Sequence, residues 1–382
     1  MNGADSFAAE EIERAREYHT PLYVALFVDW GLQLAVLLAA TFGTLDDWLW
    51  NATRGPWWAE VLELTVYVLG LTMLVRLPLL AWRSWARERR WSFSTQSFGG
   101  WLFDVTKGFV VGTTVLALGL LGIVWSARVF GAWWPAVAAT GAALLTLALV
   151  LIGPLVFERL FNRFQPLQDE ELAGDLRRLS VRAHVPVKTV LVSDATRRTR
   201  KYNAYVSGLG PTRRLVLFDT LLHGLPPREV QMVVAHELGH RRLRHVARGT
   251  VLAMAGAAAS ILVLRAVLGW DGLVAAAGFD WAADAHVVPL ALLTFWFLEI
   301  AALPFETWLS RRWERQADRF ALELTKDGAA LEGMHRRLAL ANLADLDPPR
   351  LLYVLLFTHP TPPERIAAAR ALNPVSDTHA KA

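Results

Sequence analysis

Long apolar stretches recur along this chain and dominate its pattern. Each is close to the length of about 20 residues that a helix needs to cross a bilayer. Six stretches qualify: 22–43, 59–82, 108–130, 134–157, 250–268 and 287–309. They predict a polytopic membrane protein that is mainly α-helical.

The chain between the fourth and fifth stretches has a different, soluble pattern. Leu172, Leu176 and Leu179 recur there at helical spacing. Three short apolar runs follow, separated by glycine and proline turns: KTVLV (188–192), NAYVS (203–207) and RLVLF (214–218). Their length and their β-branched residues favour strands. We therefore expect a small β-sheet in this part of the protein.

Composition agrees with a membrane location. Apolar residues make up 54% of the 382 residues and charged residues only 19%, and the mean hydropathy is +0.31. An ordinary soluble enzyme of this length is less apolar. Asp29, Arg76 and Glu299 nevertheless lie inside predicted spans. Because charges are costly in a bilayer, we expect them to face an aqueous interior or to pair with one another.

Lysine and arginine predict the orientation of the spans. Segments 83–107 and 158–249 are rich in arginine, whereas 269–286 contains aspartate and neither lysine nor arginine. By the positive-inside rule the arginine-rich segments are cytoplasmic, and an even number of spans places both termini there as well. The N-terminus lacks the features of a cleaved signal peptide. Topology and anionic lipid explain the basic residues, so we predict a lipid bilayer and no nucleic acid as partner.

The stretch VVAHELGHRRLRH (233–245) carries the candidate chemistry. His236 and His240 are four residues apart, so a helix places them on one face, with Glu237 beside the first. Two histidines and a glutamate in this order are typical of zinc peptidases, in which the imidazoles bind the metal and the glutamate acts on water. The motif predicts zinc-assisted hydrolysis of peptide bonds.

A third metal ligand has to be histidine or carboxylate, because the chain contains no cysteine. The segment SRRWERQADRFA (310–321) offers Glu314 and, one helical turn later, Asp318. In one interpretation Glu314 binds the metal and Asp318 accepts the N–H of a ligating histidine. In the other, this is a solvated helix rich in charge. The presence of an HExxH motif earlier in the chain favours the first, with one Zn²⁺ per chain.

Seven motifs, in the same order, resemble those of the CAAX prenyl endopeptidase family of integral-membrane zinc metallopeptidases. They are FSTQ (93–96), GPL (153–155), FNRFQPL (161–167), NAYVSGLGPTRRLVLFDTLL (203–222), HELGHRRLRH (236–245), SRRWERQADRFA (310–321) and THPTPPERI (358–366). The resemblance implies a transmembrane chamber walled by helices, with a zincin-like metallopeptidase domain. It also implies that His236, His240 and Glu314 bind zinc and that Glu237 is the general base.

The resemblance implies further roles around the zinc. His359 and Arg365 would bind the peptide or the tetrahedral oxyanion, where prepositioned donors matter most. Asn203, Ala204 and Tyr205 would hold the substrate backbone by strand addition at a sheet edge. The expected partners are therefore peptides and unfolded or membrane proteins.

Two departures from the family pattern bear on substrate choice. Eukaryotic members have seven spans with the N-terminus outside, whereas this chain has six predicted spans and a cytoplasmic start. Before Asn203, Lys201 and Tyr202 replace a run that contains serine and histidine. The composition, rich in Ala, Arg, Leu and Trp, indicates a high-GC bacterium, in which prenylated proteins are not expected. Quality control of membrane or misfolded polypeptides is thus at least as good a candidate as CAAX-type proteolysis.

Two other functions stay open. An intramembrane site-two-type protease also uses HExxH, but within a span and with an aspartate ligand, whereas Arg241, Arg242, Arg244 and Arg248 place this motif at the membrane surface. A membrane scaffold with a structural zinc would have no need of Glu237.

Spans and motifs together divide the chain into five predicted segments. In order they are an N-terminal membrane domain with four spans (1–157), a cytoplasmic catalytic segment with the HExxH helix (158–249), two further spans (250–309), a C-terminal catalytic segment with the glutamate ligand (310–373) and a disordered tail (374–382). We expect the protein in the bacterial inner membrane, with its catalytic segments on the cytoplasmic side.

Overall fold

Helices make up most of the described residues, 6–154, 156–208 and 210–372, of the computed structural model. In chain order they are α1 (Ala9–Phe42), α2 (Thr44–Ala52), α3 (Trp57–Ala81), α4 (Arg87–Arg90), α5 (Phe98–Phe130), α6 (Trp134–Ile152), α7 (Phe157–Phe161), α8 (Glu170–Arg182), α9 (Asp219–Gly224), α10 (Pro227–Arg242), α11 (His245–Val267), α12 (Asp271–Ala276), α13 (Val287–Thr325), α14 (Gly328–Asn342), α15 (Arg350–Leu356) and α16 (Pro362–Leu372). The tail predicted to be disordered, 374–382, lies outside the described residues.

Five segments of the described chain are long and apolar enough to cross a membrane. They are Ala9–Phe42, Trp57–Arg90, Phe98–Ile152, His245–Val267 and Val287–Thr325. The third segment contains both α5 and α6, which a 3₁₀ turn at Gly131–Trp133 separates. Each of the six predicted apolar stretches therefore coincides with a long helix, although α6 ends at Ile152 and not at residue 157.

The charges inside the spans have different environments. The buried carboxylate of Asp29, on α1, accepts two hydrogen bonds from Arg76, on α3, at 2.7 and 2.8 Å. Arg83 lies 3.5 Å from the same carboxylate. The expected pairing is therefore present between α1 and α3. Glu299 is exposed and has no ion-pair partner among residues 6–154, 156–208 and 210–372.

Four strands form one sheet within the described chain: β1 (Phe164–Pro166), β2 (Thr189–Ser193), β3 (Ala204–Ser207) and β4 (Arg214–Phe218). The order across the sheet is β1, β2, β4, β3. The central strands β2 and β4 are parallel, and both edge strands pair with them antiparallel. All three predicted strands are present. The strand β1 was not predicted, because three residues ending in proline give no alternating pattern.

Two large cores hold these elements together. The core of the membrane part lies between α1, α3, α5, α6, α11 and the first half of α13. The other core lies between α8, the sheet, α10 and the second half of α13. Because α13 is one helix of 39 residues that contributes to both cores, it connects the membrane part directly to the segment that carries Glu314 and Asp318.

Candidate metal centre

The HExxH motif lies on α10, and the sequence explains where this helix starts and which side it buries. Pro226 precedes the helix and Pro227 occupies its first turn, where the missing N–H of proline has no cost. The side chains of Val230, Met232 and Val234 are almost completely buried in the core beside the sheet. This packing fixes the rotation of the helix and hence the direction of its histidines.

Gly239, the glycine of HELGH, allows α10 to approach α13 closely. A Cβ atom at this position would lie 3.0 Å from a ring carbon of Phe320 and 3.3 Å from the Cα of Ala317. These distances are tighter than ordinary van der Waals contact, so a larger residue would push the two helices apart. The close crossing places Glu314 opposite both histidines.

His236, His240 and Glu314 bring three ligand atoms together. The Nε2 atoms of His236 and His240 are 3.1 Å apart, and the Glu314 carboxylate oxygens lie 3.3 and 3.2 Å from them. Tetrahedral zinc with bonds of about 2.0–2.1 Å separates its ligand atoms by about 3.3–3.4 Å. The spacing and the chemistry of these donors therefore fit a zinc ion.

Asp318 fixes the ring of His236. Its Oδ1 atom lies 2.9 Å from Nδ1 of His236, so a proton on Nδ1 is donated to the carboxylate and Nε2 keeps its lone pair for a metal. Asp318 itself accepts hydrogen bonds of 2.8 and 2.6 Å from Arg365. Nε2 of the buried His335 lies 3.3 Å from the same carboxylate.

The electrostatics of the cluster suit a cation. Burial disfavours a charge on Glu314, but three imidazoles, those of His236, His240 and His359, lie within 3.3 Å of its carboxylate and offset that cost. Burial also disfavours a charge on Asp318, and the guanidinium of Arg365, which donates two hydrogen bonds to it, offsets that cost. Two ionised carboxylates thus lie within or directly behind the ligand set.

A second supporting chain lies behind His240 and was not found from the sequence. Nδ1 of His240 is 3.1 Å from Nδ1 of His245, and Nε2 of His245 is 2.9 Å from Oε1 of Gln316. Since the amide oxygen only accepts, His245 donates through Nε2 and accepts the proton of His240 at Nδ1. His240 is thereby left with a free lone pair on Nε2.

Helical periodicity could not identify His245, because it lies five residues after His240. Arg244 has a left-handed conformation with φ +59°, which ends one helix and starts the next. The ring of His245 is then stacked on Trp313 at an interplanar angle of 7°. The only sequence signal was its inclusion in the family-like motif HELGHRRLRH.

Two of the three candidate ligands, His236 and Glu314, border a cavity of about 720 Å³, which also extends to α1 through Leu22, Tyr23 and Leu26. Glu237 lines this cavity, and its carboxylate has no hydrogen-bond or ion-pair partner within the described ranges. Burial raises the pKa of Glu237. A carboxylate of this kind, beside the candidate ligands, is available to exchange a proton with water.

The predicted substrate-binding residues lie at the edge strand β3. Asn203 immediately precedes this strand, and both Asn203 and Ala204 line the cavity. Tyr205 does not line it, since its side chain lies beside Glu158. This side-chain position leaves strand addition possible, because that mode of binding uses backbone groups. Asn342 exchanges hydrogen bonds of 2.8 and 3.1 Å with the backbone of Tyr202 and so supports the start of the strand.

His359 and Arg365 differ in their availability to a substrate. His359 lies between α15 and α16 with its side chain 59% exposed, and its Nδ1 atom is 2.8 Å from Glu314. Arg365, on α16, lines the cavity but donates two hydrogen bonds to Asp318. Of the predicted site residues, His236, Glu237, Glu314, Asn203, Ala204, His359 and Arg365 line this one cavity. His240 and Asp318 lie directly behind it, in contact with Glu314 and His236, and Arg365 has a partner other than substrate.

Three comparisons with known proteins bear on this site. Residues 166–373 match the family described as peptidase family M48, and residues 2–163 match the N-terminal region of CAAX prenyl proteases, described as five membrane helices. The described part of that region contains four long helices here, α1, α3, α5 and α6.

The relatives extend over almost the whole chain. Identity is 28% over 372 residues with the uncharacterized metalloprotease YhfN of Bacillus subtilis (strain 168), covering 97% of this chain and 86% of that protein. It is 25% over 384 residues with the CAAX prenyl protease 1 homolog of Arabidopsis thaliana, covering 94% and 87%. The crystal structure of S. mikatae Ste24p matches with a TM-score of 0.77 over 96% of this chain and 90% of that chain at 22% identity, which is a likeness of fold.

Proposed function

The chain belongs to peptidase family M48, and from that premise we propose that it uses zinc to hydrolyse extended polypeptides inside its membrane-associated cavity. Membership of the family makes it a membrane metalloendopeptidase. The observation that carries the finer proposal is the Glu237 carboxylate, which has no partner among the described residues and lies beside three converging ligand atoms. A site that only held a structural metal would have no use for it.

The geometry argues against a site-two-type protease. The HExxH helix, Pro227–Arg242, lies outside the five candidate spans, whereas that class carries the motif within a span. The carboxylate that faces the two histidines belongs to Glu314 and not to an aspartate. A structural zinc scaffold remains the alternative that the Glu237 experiment below addresses.

In the proposed mechanism the protein's own residues position the substrate and move one proton. A bound zinc ion supplies Lewis-acid polarisation of the scissile carbonyl and of water. Glu237 accepts a proton from the attacking water and returns it to the leaving amine. His359 donates to the oxyanion that develops on the carbonyl, where a prepositioned donor contributes most. Asp318 and Arg365 act through His236 and are positioning residues.

Strand addition at β3 is the proposed mode of substrate binding. This strand is at the edge of the sheet and pairs on one side with β4, and the residues at its start line the cavity. An extended segment of substrate can therefore bind through main-chain hydrogen bonds, with broad side-chain selectivity. The cavity volume of about 720 Å³ is that of a site for a short segment and excludes a folded domain.

For the natural substrates we propose unfolded or membrane polypeptides of a bacterial inner membrane, with hydrolysis on the cytoplasmic side. Several relatives are named CAAX prenyl protease homologues, so a prenylated peptide is the comparison to make. At the positions before Asn203, Lys201 lies 2.9 Å from Glu88 and Tyr202 packs against Gly224. These contacts give both residues roles in packing.

The decisive experiment separates metal binding from hydrolysis. Glu237→Gln should keep about one zinc per chain and lose about 10²–10⁴-fold in turnover, because the amide cannot act as a base. Glu314→Ala should lose the zinc as well. Glu323→Gln, an exposed change on α13, is the matched control and should keep both. Metal content and cleavage of an unfolded peptide are measured on each purified variant.

Four results would contradict parts of the proposal. Full zinc content in Glu314→Ala would remove Glu314 from the ligand set. Normal turnover in Glu237→Gln would remove the general base, and equal cleavage of a stable domain and its unfolded variant would exclude the enclosed site. If a prenylated peptide were cleaved much faster than its unprenylated form, prenylated proteins and not unfolded polypeptides would be the substrate class.

A further inference from the structure

A second cavity, of about 420 Å³, lies at the start of α5 and shares no lining residue with the catalytic cavity. Its walls come from three separated parts of the chain. They are the first turns of α5 with the preceding residues 95–97, the segment 159–163 at and after α7, and Arg197 with Arg198. Because these parts are distant in sequence, the cavity is a product of tertiary packing.

The cavity is strongly basic. Its lining contains five cationic side chains, Lys107, Arg159, Arg163, Arg197 and Arg198, and one carboxylate, Asp104. Asp104 is already shared between Lys107 at 3.3 Å, Arg198 at 3.2 Å and the amide of Gln96 at 2.7 Å. Arg197 pairs with Asp194. The lining therefore carries more positive charge than its own carboxylate neutralises.

Two of these arginines have no carboxylate partner in the part of the chain that the structure describes. The guanidinium groups of Arg159 and Arg163 make no ion pair within residues 6–154, 156–208 and 210–372, although both line the cavity. Arginine binds the oxygen atoms of phosphate in a bidentate manner and is weakly hydrated, so it is well suited to such a ligand. Ser97, which caps α5, and Gly100 lie on the same wall, where the positive end of the helix dipole adds a small favourable contribution.

The cavity lies at the level where α5 enters the apolar part of the molecule. Phe98 is 47% exposed and Phe103 is 66% exposed, and the exposed apolar residues Val110 and Leu118 follow on the same helix. Large exposed apolar side chains next to a basic pocket are typical of a contact with lipid. The ammonium group of Lys107 lies over the rings of Phe103 and Phe161, which connects the apolar and the basic surfaces.

We propose that this cavity binds the phosphate group of an anionic membrane phospholipid. The phosphate would contact Arg159 and Arg163, and the acyl chains would lie along the exposed face of α5. The adjacent apolar surface selects a lipid over free phosphate, since a small anion would leave that surface uncovered. Lipid binding at this site does not depend on the peptidase chemistry proposed above.

The position of the cavity gives the lipid a structural effect on the catalytic part. Residues 93–95 are hydrogen-bonded to residues 196–200. The backbone N–H and the hydroxyl of Thr95 donate to the carbonyls of Arg198 and Thr196, at 3.1 and 2.8 Å. The N–H of Arg200 donates to the carbonyl of Phe93 at 2.9 Å. The second of these segments leads directly into Asn203 and β3. A lipid that draws Arg159, Arg163 and the start of α5 together therefore stabilises the junction that supports the substrate-binding strand.

The test uses the full-length chain in nanodiscs of phosphatidylcholine, with and without phosphatidylglycerol. Phosphatidylglycerol should raise the thermal midpoint, and native mass spectrometry should show it retained. In Arg159→Gln/Arg163→Gln its affinity should fall by about fivefold for each arginine, roughly 25-fold for the pair. Arg159→Lys/Arg163→Lys should retain most of the affinity. Arg14→Gln/Arg90→Gln loses the same charge at exposed positions outside the cavity and should behave as wild type.

Each alternative outcome identifies a different error. If Arg14→Gln/Arg90→Gln lost as much affinity for phosphatidylglycerol as Arg159→Gln/Arg163→Gln, the effect would come from general surface charge, and the proposed site would be overturned. An equal rise in thermal midpoint from inorganic phosphate in phosphatidylcholine nanodiscs would assign the cavity to a free anion and overturn the lipid. Unchanged retention of phosphatidylglycerol in Arg159→Gln/Arg163→Gln would exclude the two arginines as its ligands.

Discussion

Replacement of His245 by phenylalanine tests the supporting chain behind the second zinc ligand. Phenylalanine keeps an aromatic ring that can stack on Trp313, as His245 does at a centroid distance of 5.1 Å, but it removes the acceptor for His240. The Nδ1–H of His240, now 3.1 Å from Nδ1 of His245, would be left without its partner. The ring of His240 would then be free to rotate or to change its tautomer, and both changes disfavour metal binding.

The expected magnitude follows from two independent considerations. A buried donor that loses its partner costs about 1–3 kcal/mol, and loss of a residue that orients a metal-bound histidine lowers metal affinity by about 10–100-fold. The second range corresponds to about 1.4–2.8 kcal/mol, so the two agree. We expect His245→Phe to bind zinc about 10–100-fold more weakly and to keep its fold.

The assay is competition for zinc between the purified protein and a chelator of known affinity, with the thermal midpoint of the metal-free protein as a measure of folding. His286→Phe is the matched control, because His286 is also buried, contacts Trp50 at a centroid distance of 3.6 Å and has an aspartate partner, Asp284, at 2.9 Å. It lies outside the metal cluster and should leave zinc affinity unchanged. Wild-type affinity in a well-folded His245→Phe protein would refute the role of His245 in holding His240.

Three further predictions address the packing and the charges behind the site. Gly239→Ala should force α10 and α13 apart at Phe320, lowering stability by about 1–3 kcal/mol and weakening zinc binding; a thermal midpoint and zinc affinity equal to wild type would show that the crossing tolerates a methyl group. Asp318→Asn should weaken zinc binding by about 10–100-fold, measured by the same competition, and an unchanged affinity would remove Asp318 as the support of His236. Burial lowers the pKa of His335 from 6.5 to about 4. Between these pH values the unfolded chain therefore takes up a proton that the folded chain does not. The folded state loses stability as the pH falls through this range, by up to about 3 kcal/mol. The thermal midpoint of His335→Leu should therefore fall less than that of wild type from pH 6.5 to pH 4, and parallel curves would contradict this.

Features that repeat with the period of a helix or strand could be predicted from the sequence. The six apolar stretches coincide with long helices, and the three apolar runs of the soluble part are strands. The pair His236 and His240 was predictable for the same reason, since one helical turn places both on one face. In each case the pattern is local in the sequence, and the burial of its apolar residues determines which face of the helix or strand points into the core.

Features that depend on contacts between distant segments could not be predicted in this way. His245 supports His240 only because a left-handed residue, Arg244, turns the chain between α10 and α11. The contact of Arg365 with Asp318 joins residues 47 positions apart. Glu314 could be selected from other carboxylates only by the resemblance of its surrounding motif, because spacing along the chain says nothing about which helix crosses α10.

The continuity of α13 has a consequence for how the membrane part and the site affect each other. The same helix packs in the membrane core through Val287–Thr294 and presents Glu314 and Asp318 to the histidines. A displacement of its membrane half is therefore transmitted along the helix axis, and Pro304, in the interior of the helix, is the place where a bend could relieve it. Gly239 leaves almost no free space at the crossing with α10, so such a displacement changes the ligand geometry directly. The metal centre is thus built as part of the membrane structure, and its affinity for zinc should depend on the bilayer that surrounds it.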